Sequence, residues 1–276
     1  MMQAACASAP GGARPNEDTV LVGPATVAVL DGLSAPAGLP MGCTHGTPWF
    51  VRQLGLCLTD RAADPASPLP GVLGAAIEDV NALHVGTCAL DQEAVPAATV
   101  VMIRVRSDAL DYLVLSDSTL VLDLGPVGVE TVTDKRVEKV AQHEMRAALV
   151  GPAGSAGHER RVAELVAVQR RLRNQPGGYW VASTLPGAAE HALTGTVPLA
   201  TVRRAALLTD GASRLADLFG ILSWPQLLDV LQAEGPAALI SRTREAERSD
   251  PAAARWPRFK RSDDATAAYV RIGSSW

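Results

Sequence analysis

Carboxylates stand at the ends of several apolar runs that are far apart in the sequence. Asp31 and Gly32 close the run "VAVLDG", and Asp210 lies in the same position in "AALLTDG". Asp263 and Asp264 precede the last apolar run, "ATAAYV". Short apolar runs bounded by turn residues predict strands, so these acids are expected where strands begin or end. Carboxylates offered by distant strand ends form the oxygen ligand set that Mg²⁺ or Mn²⁺ requires.

A further acidic pair, Glu17 and Asp18, stands in "RPNED" directly before the first apolar run. Two apolar runs follow, split by a glycine–proline pair, which predicts a hairpin that carries its acids to one end of a sheet. One bridging carboxylate can hold two cations about 4 Å apart, and such a pair activates a water for attack on phosphorus. The glycine after Asp31 would let its carbonyl approach a metal closely. An aspartate–glycine pair also suits an ordinary turn, so the number and order of these motifs, rather than any one of them, indicate a metal centre.

The ordered set resembles the metal-dependent protein phosphatases of the type 2C family, in a compact bacterial form. The motifs appear here as "RPNED", "VLDG", "LVLSDST", "LLTDG" and "DDATAAYV", and they span nearly the whole chain. The resemblance implies an α+β fold in which two antiparallel β-sheets pack as a sandwich flanked by helices, in four αββα layers. It also implies a centre with two or more Mn²⁺ or Mg²⁺ ions at one end of the sandwich.

The resemblance also assigns a role to individual side chains. Asp31 would bridge both metals, the Gly32 carbonyl would bind one of them, and Glu17 and Asp18 would hold metal-bound waters. The metal set it implies is Glu17, Asp18, Asp31, Gly32, Asp210 and Asp263, and the catalytic set is Asp18, Asp31 and Arg14.

Four positions of the resemblance are considered separately. Asp263 is preferred to Asp264 as the ligand because the family's aspartate stands three residues before its threonine, here Thr266. Asp264 takes the place that asparagine usually holds in the family, and the alternative is a turn residue or an acceptor of backbone N–H groups. Asp117 matches an aspartate of the family's middle motif, and we expect it to be structural, tying a turn between strands. Arg14 is the candidate for binding phosphate, since guanidinium suits a phosphoryl oxygen bidentately; a plain surface arginine is the alternative.

The rest of the pattern predicts the elements that position these residues. Residues 98–125 indicate three short strands, and "GGYWVAS", "VRRAALLTDG" and "DATAAYVRI" indicate three more. Apolar spacings of three and four predict helices over residues 49–59 and 71–90. Residues 135–173 are helical and charged, and residues 224–246 are helical with a break near Gly235 and Pro236. Regular βαβ alternation and phosphate-binding glycine loops are missing from the sequence, which disfavours a parallel nucleotide-binding fold.

Composition excludes several other classes. The chain has 276 residues, 47% of them hydrophobic and 20% charged, with a net charge of −4. We therefore expect a single domain over residues 1–276, cytoplasmic, without a nucleic-acid partner and without membrane contact. No basic and apolar leader is recognised at the start. Four scattered cysteines favour reduced thiols over a disulfide framework or a zinc knuckle.

Two further segments carry residues that could do chemistry. Cys43 and His45 could suggest a soft metal or a Cys–His nucleophile, but they show no second pair of ligands in the sequence. Nothing in the sequence places Cys43 against His45 as an activated pair, so we expect these two to point apart, as loop and helix-start residues. Arg170, Arg171 and Arg173 are expected on a solvated helix face, with attraction of a phosphorylated ligand as the alternative.

The leading functional hypothesis is an Mn²⁺- or Mg²⁺-dependent phosphomonoester hydrolase, with phosphoserine or phosphothreonine proteins as the substrates that the resemblance implies. A small phosphorylated metabolite is the alternative substrate, since the loop "DGLSAPAGLP" departs from the family's usual text. The alternative of another class is a type 2C-like regulatory or binding module with weak or no catalysis. Retention of the acidic set favours the enzyme. The sequence leaves the oligomeric state open.

Overall fold

The computed structural model describes residues 2–33, 42–84, 86–90 and 95–273. Ten strands form two antiparallel sheets of five strands each. In chain order the strands are β1 (Met2–Ala9), β2 (Asp18–Val22), β3 (Thr26–Gly32), β4 (Ala98–Val105), β5 (Ala109–Leu115), β6 (Thr119–Asp123), β7 (Val129–Val132), β8 (Leu193–Pro198), β9 (Arg204–Leu208) and β10 (Ala265–Ile272). One sheet has the order β2-β3-β4-β5-β8 and the other the order β1-β10-β9-β6-β7.

Seven α-helices accompany these strands in the described part of the chain. They are α1 (Thr47–Arg61), α2 (Leu69–His84), α3 (Gln142–Ala148), α4 (Ala156–Arg171), α5 (Asp210–Ser213), α6 (Trp224–Glu234) and α7 (Pro236–Ser249). The break between α6 and α7 falls where the sequence predicted it, because Gly235 has φ 84° and Pro236 begins the next helix.

The central strands are buried on both faces, which explains their continuous apolar runs. In β3, Val27 and Val29 pack into the space between the two sheets, while Ala28 and Leu30 pack against α1 and α2. The other sheet shows the same alternation, with one face of β9 between the sheets and the other against α6 and α7. The predicted sandwich of two antiparallel sheets flanked by helices is therefore confirmed, with the layers in the order helix, sheet, sheet, helix.

Several predicted elements differ from the observed ones. The segment "GGYWVAS" forms no strand and makes only isolated bridges, because the Asn174 side chain accepts the Val181 N–H at 2.8 Å where a ladder partner would stand. The helix predicted over 71–90 runs over Leu69–His84 and ends in a turn. The alanine-rich β1 was not predicted; it is strand because it pairs along its whole length with β10. The loop after Gly32 that departs from the family text lies largely outside the described residues.

Candidate active site

The β2–β3 hairpin brings its two acidic ends together, as the sequence predicted. Asp18 and Asp31 are partners across the ladder, and the Gly32 N–H donates to the Glu17 carbonyl at 3.0 Å. The turn at Gly23 lies at the opposite end of the hairpin. The open end of this hairpin therefore carries the first half of an acidic cluster.

The second sheet supplies the other half. Asp210 follows β9 and begins α5, and Asp263 lies just before β10, which pairs with β9. Thr209 joins the two halves, since its hydroxyl donates to Asp18 Oδ2 at 2.9 Å and accepts the Thr266 N–H at 2.9 Å. The acids at the ends of strands in both sheets thus meet at one end of the sandwich.

The sequence analysis did not single out Thr209. Its signal is the threonine of "LLTDG", directly before the aspartate. The buried hydroxyl of Thr209 connects the two sheets, and it is not itself an acidic member of the cluster.

The carboxylates raise one another's pKa. Burial raises the pKa of Asp18 to about 7, with hydrogen bonds from Thr266 and Thr209 working against it and the charges of Asp210 and Asp263 adding to it. Burial and then the charge of Asp263 raise the pKa of Asp210 to about 7. Burial, followed by the charges of Asp18 and Asp210, raises the pKa of Asp31 well above its usual range. Without a cation the cluster is therefore electrostatically strained in its ionised form.

Two basic side chains enter the cluster beside Asp263, and sequence reasoning missed both. Lys260 Nζ lies 2.6 Å from Asp263 Oδ1, and Arg214 Nη2 lies 3.3 Å from Asp263 Oδ2. Burial alone would raise the pKa of Asp263, but the charges of Lys260 and Arg214 hold it below its usual value. Arg214 is itself held by Glu247 on α7 at 2.7 Å. Asp263 thus forms ion pairs with both Lys260 and Arg214 inside the acidic cluster.

Asp264 is an acceptor of backbone N–H groups, one of the two roles left open for it. It accepts the Gly11 N–H at 2.8 Å and the Glu17 N–H at 2.7 Å. These bonds fix the segment that leads from β1 into β2. Asp264 therefore fixes the position of Glu17 and Asp18 by holding the backbone segment to which they belong.

Asp117 lies at the crossing from β5 to β6, where the chain passes from one sheet to the other. Ser116 beside it has φ 69° and donates from its hydroxyl to Asp117 Oδ1 at 3.1 Å. The charge of Asp117 contributes to the raised pKa of Asp210. Asp117 therefore lies at the turn where the sequence analysis expected it, and close to the acidic cluster.

The arginines singled out in the sequence take different places. Arg14 is exposed on the turn between β1 and β2, and we find no ion pair for it within the described ranges. Its role in binding phosphate stays a prediction. The solvated face expected for Arg170, Arg171 and Arg173 is wrong for two of the three: Arg170 and Arg173 are buried and Arg171 is exposed. Arg173 lies inward because its guanidinium donates to the Val95 carbonyl at 3.3 Å.

The expectation that Cys43 and His45 point apart is also wrong. Cys43 Sγ lies 3.7 Å from His45 Nδ1, because the chain bends at Thr44 and His45 instead of staying extended. His84 and Cys88, at the end of α2 and just after it, lie beside them. The second pair of ligands that the sequence did not reveal is therefore present in space.

Three observations test whether the acidic cluster fits divalent cations. Asp18 Oδ1 is buried and has no hydrogen-bond partner among the described residues. A Cβ on Gly32 would meet the Glu17 carbonyl oxygen at 2.5 Å and Thr47 Cγ2 at 2.5 Å, so only glycine fits between the acidic segment and α1. Burial, and then the neighbouring carboxylates, raise the pKa values of Asp18, Asp31 and Asp210, so a bound cation would favour their ionised forms. These residues fit hard cations, which take carboxylate and carbonyl oxygens.

Comparison with known proteins agrees with this geometry. No protein-family model matches the chain, and no curated protein matches it. Among solved structures, the chain is similar to the serine/threonine phosphatase PstP/Ppp of Mycobacterium tuberculosis, with 19% identity, 99% of each chain covered and a TM-score of 0.59. The fold is that of the type 2C, or PPM, phosphatases.

Two other solved structures show the same type 2C fold. The catalytic domain of PstP in complex with two manganese ions is 18% identical over 99% of each chain, with a TM-score of 0.57. Phosphatase Stp1 of Staphylococcus aureus is 13% identical over 99% of this chain and 96% of its own, with a TM-score of 0.55. In residues 2–33, 42–84, 86–90 and 95–273, no helix of this type 2C fold is long and apolar enough to cross a membrane.

Proposed function

We propose that the protein is a metal-dependent phosphatase that hydrolyses phosphomonoesters, with phosphoserine and phosphothreonine proteins as its substrates. The observation that carries the proposal is the convergence of Asp18, Asp31 and Asp210 from both sheets, joined through Thr209. The likeness to a phosphatase structure with two manganese ions supports it.

Each residue of the cluster has a part in this proposal. Asp31, Asp210 and Asp263 would hold the cations with the Gly32 carbonyl, while Glu17 and Asp18 would orient the attacking water. When bound, two divalent cations polarise that water and the phosphoryl oxygens. Asp18 Oδ1, the buried atom without a partner, is the atom that would accept a hydrogen bond from the water.

The protein's own residues then supply positioning. Thr209 holds Asp18 by its other oxygen at 2.9 Å, which leaves Oδ1 aimed into the cluster. Asp264 holds the Glu17 backbone, and Arg14 on the adjacent turn would contact the substrate phosphate. Since water is the nucleophile, no phosphorylated side chain is proposed.

A second candidate, a regulatory or binding module of the same fold, is favoured by one observation. Lys260 already pairs with Asp263 at 2.6 Å, so a cation at that carboxylate competes with a tethered ammonium group. In this case the fold would bind a partner without turnover.

One assay separates the two candidates. The purified full chain is incubated with p-nitrophenyl phosphate and with a phosphothreonine peptide, in Mn²⁺, Mg²⁺ or EDTA. We expect turnover that needs Mn²⁺ or Mg²⁺ and that falls at least about 100-fold in Asp31→Asn. Asp60→Asn, on the exposed face of α1, is the matched control and should keep the full rate. Absence of turnover in folded protein that binds Mn²⁺ would favour the binding module.

The substrate class is read from the same experiment. A phosphothreonine peptide hydrolysed with a higher kcat/KM than small phosphorylated metabolites supports the protein phosphatase. The reverse order would make the protein a metabolite phosphatase.

A further inference from the structure

A second cluster of ligand-type side chains lies outside the acidic centre, beside the start of α1 and the end of α2. It contains Cys43, His45, His84 and Cys88, and their ligand atoms all lie within 4.8 Å of one another. Cys43 and His45 precede α1, His84 is the last residue of α2, and Cys88 follows four residues later. Two pairs that are about forty residues apart in sequence thus face each other across one small space.

The measured distances match the edges of a tetrahedral metal site. With Zn–S bonds of about 2.3 Å and Zn–N bonds of about 2.0 Å, tetrahedral angles place neighbouring ligand atoms about 3.3–3.8 Å apart. His45 Nδ1 lies 3.7 Å from Cys43 Sγ and 3.4 Å from Cys88 Sγ. Both sulfurs therefore already lie at the distance from His45 Nδ1 that one zinc ion would impose.

His84 provides an independent observation. Its side chain is only 3% exposed, and neither ring nitrogen has a hydrogen-bond partner in the described part of the chain. Buried polar atoms without partners are costly and call for an explanation. The ring packs against Trp49, with centroids 4.8 Å apart, and faces His45 at 5.5 Å. A metal ion between the rings and the sulfurs would give a His84 nitrogen the partner it lacks.

The surroundings of Cys88 suit a metal-bound thiolate. The Thr44 N–H donates to Cys88 Sγ at 3.4 Å, and the hydroxyls of Thr44 and Thr87 lie 3.6 and 3.7 Å from the same sulfur. Donors of this kind around a ligating atom orient it and offset its negative charge. The turn that follows α2 is thus shaped around the sulfur.

We propose that Cys43, His45, His84 and Cys88 bind one structural Zn²⁺ ion. Two thiolates and two imidazoles complete a tetrahedral set with no open position, which is the composition of a structural rather than a catalytic zinc site. On binding, each thiol releases its proton to solvent. This site is separate from the acidic centre, whose ligands are oxygens, and it does not rest on the proposed phosphatase activity.

The ion would add a further link between two segments that hydrogen bonds already join. The Ala89 N–H donates to the Gly42 carbonyl at 2.9 Å, which is a backbone link between them. Immediately beyond His45, Thr47 begins α1 and packs against Gly32 of the acidic centre. The zinc would therefore add to the links that already hold the start of α1 beside Gly32.

The test is metal analysis of the full chain, purified under reducing conditions with Zn²⁺ in the growth medium and then desalted. We expect about one tightly held zinc per chain. Replacement by Co²⁺ is expected to produce the visible bands of a tetrahedral ion and a near-ultraviolet thiolate-to-cobalt charge-transfer band. Cys88→Ser and His84→Ala should lose the bound zinc, and Cys88→Ser should lower Tm by roughly 5 °C.

Matched variants keep the test decisive. Cys57→Ser removes a half-buried cysteine of α1 outside the cluster and should retain zinc. Asp31→Asn removes a carboxylate of the acidic centre and should also retain zinc and the charge-transfer band. Folded protein with neither zinc nor that band would overturn the proposal. So would a Cys43–Cys88 disulfide that persists in reductant with Zn²⁺ present, or equal zinc loss in Cys57→Ser.

Discussion

The acidic centre and the Cys/His cluster of residues 43, 45, 84 and 88 are assembled in opposite ways. The acids stand at strand ends, and their meeting follows from backbone ladders, as in the pairing of Asp18 with Asp31. The four Cys and His residues stand at a helix start and a helix end, and their meeting follows from the packing of α1 on α2. The acidic centre is specified by the register of its strands, and the Cys/His cluster is specified by the packing of α1 on α2.

The ligand chemistry differs in the same way. The acidic centre offers oxygens, has mutually raised carboxylate pKa values and contains the cations of Lys260 and Arg214. The Cys/His cluster offers sulfur and imidazole nitrogen, which suit zinc. Each site should therefore select its own metal, and variants in one should leave the other intact.

The largest expected effect is that a variant of one site loses turnover and a variant of the other site loses zinc. Asp210→Asn is expected to reduce phosphatase turnover at least about 100-fold, because it removes a carboxylate of the metal set. It should leave the zinc content unchanged. Cys88→Ser should do the reverse, losing zinc while it retains Mn²⁺-dependent turnover within roughly 3-fold. Activity and metal content are measured on the same preparations, and parallel losses in both variants would contradict the separation of the two sites.

The next largest effect is expected from removing the Thr209 hydroxyl, which connects the two sheets. Thr209→Val keeps the shape of the side chain but removes the bonds to Asp18 and to the Thr266 N–H, so we expect a loss of about 1–3 kcal/mol in the free energy of unfolding. Thr209→Ser, which keeps the hydroxyl, is the control. Denaturant unfolding measures both. Equal stability of Thr209→Val and the parent would show that the two halves of the acidic centre are held together in another way.

The difference between the sites also explains what the sequence could predict. Strand-end position is a local property, so "VAVLDG" and "AALLTDG" placed Asp31 and Asp210 at strand ends. The sandwich, with the acids at one end of it, was implied by the resemblance of the ordered motifs. Contacts that depend on the packing of separate elements have no local pattern. Arg214 beside Asp263 and Thr209 beside Asp18 belong to this kind, as does His84 beside Cys43.

Burial of charged side chains was predicted poorly for the same reason. The sequence of α4 is rich in arginine, and its charge pattern favoured a solvated face. Arg173, two residues beyond the end of α4, is buried and donates to a distant carbonyl, that of Val95. Likewise the alanine-rich β1 has little intrinsic strand preference and is a strand through pairing with β10.

A smaller effect is expected in the stability of the acidic centre without metal. For the carboxylates Asp18, Asp31 and Asp210 the folded-state pKa is raised, so the folded protein binds more protons than the unfolded chain between about pH 4 and pH 7. Stability in EDTA should therefore fall as pH rises through this range. Asp31→Asn removes one of the competing charges, so we expect its Tm in EDTA at pH 7.5 to rise by roughly 3–6 °C. Thermal scans from pH 4.5 to 8 measure this. A Tm in EDTA that climbs over this range in the parent would contradict the assigned electrostatics.

The smallest effect expected is on the metal affinity of the acidic centre, through its tethered cation. Lys260 lies 2.6 Å from Asp263, and although burial alone would lower its pKa, the charge of Asp263 raises it, so the ammonium form persists. A cation bound at Asp263 must compete with this charge, so Lys260→Met is expected to tighten Mn²⁺ binding by roughly 3–10-fold. Lys139→Met, at an exposed lysine, is the control and should leave the affinity unchanged. Titration calorimetry with Mn²⁺ on the zinc-loaded chain measures both variants. Weaker binding in Lys260→Met would mean that Lys260 positions Asp263 for the metal instead of competing with it.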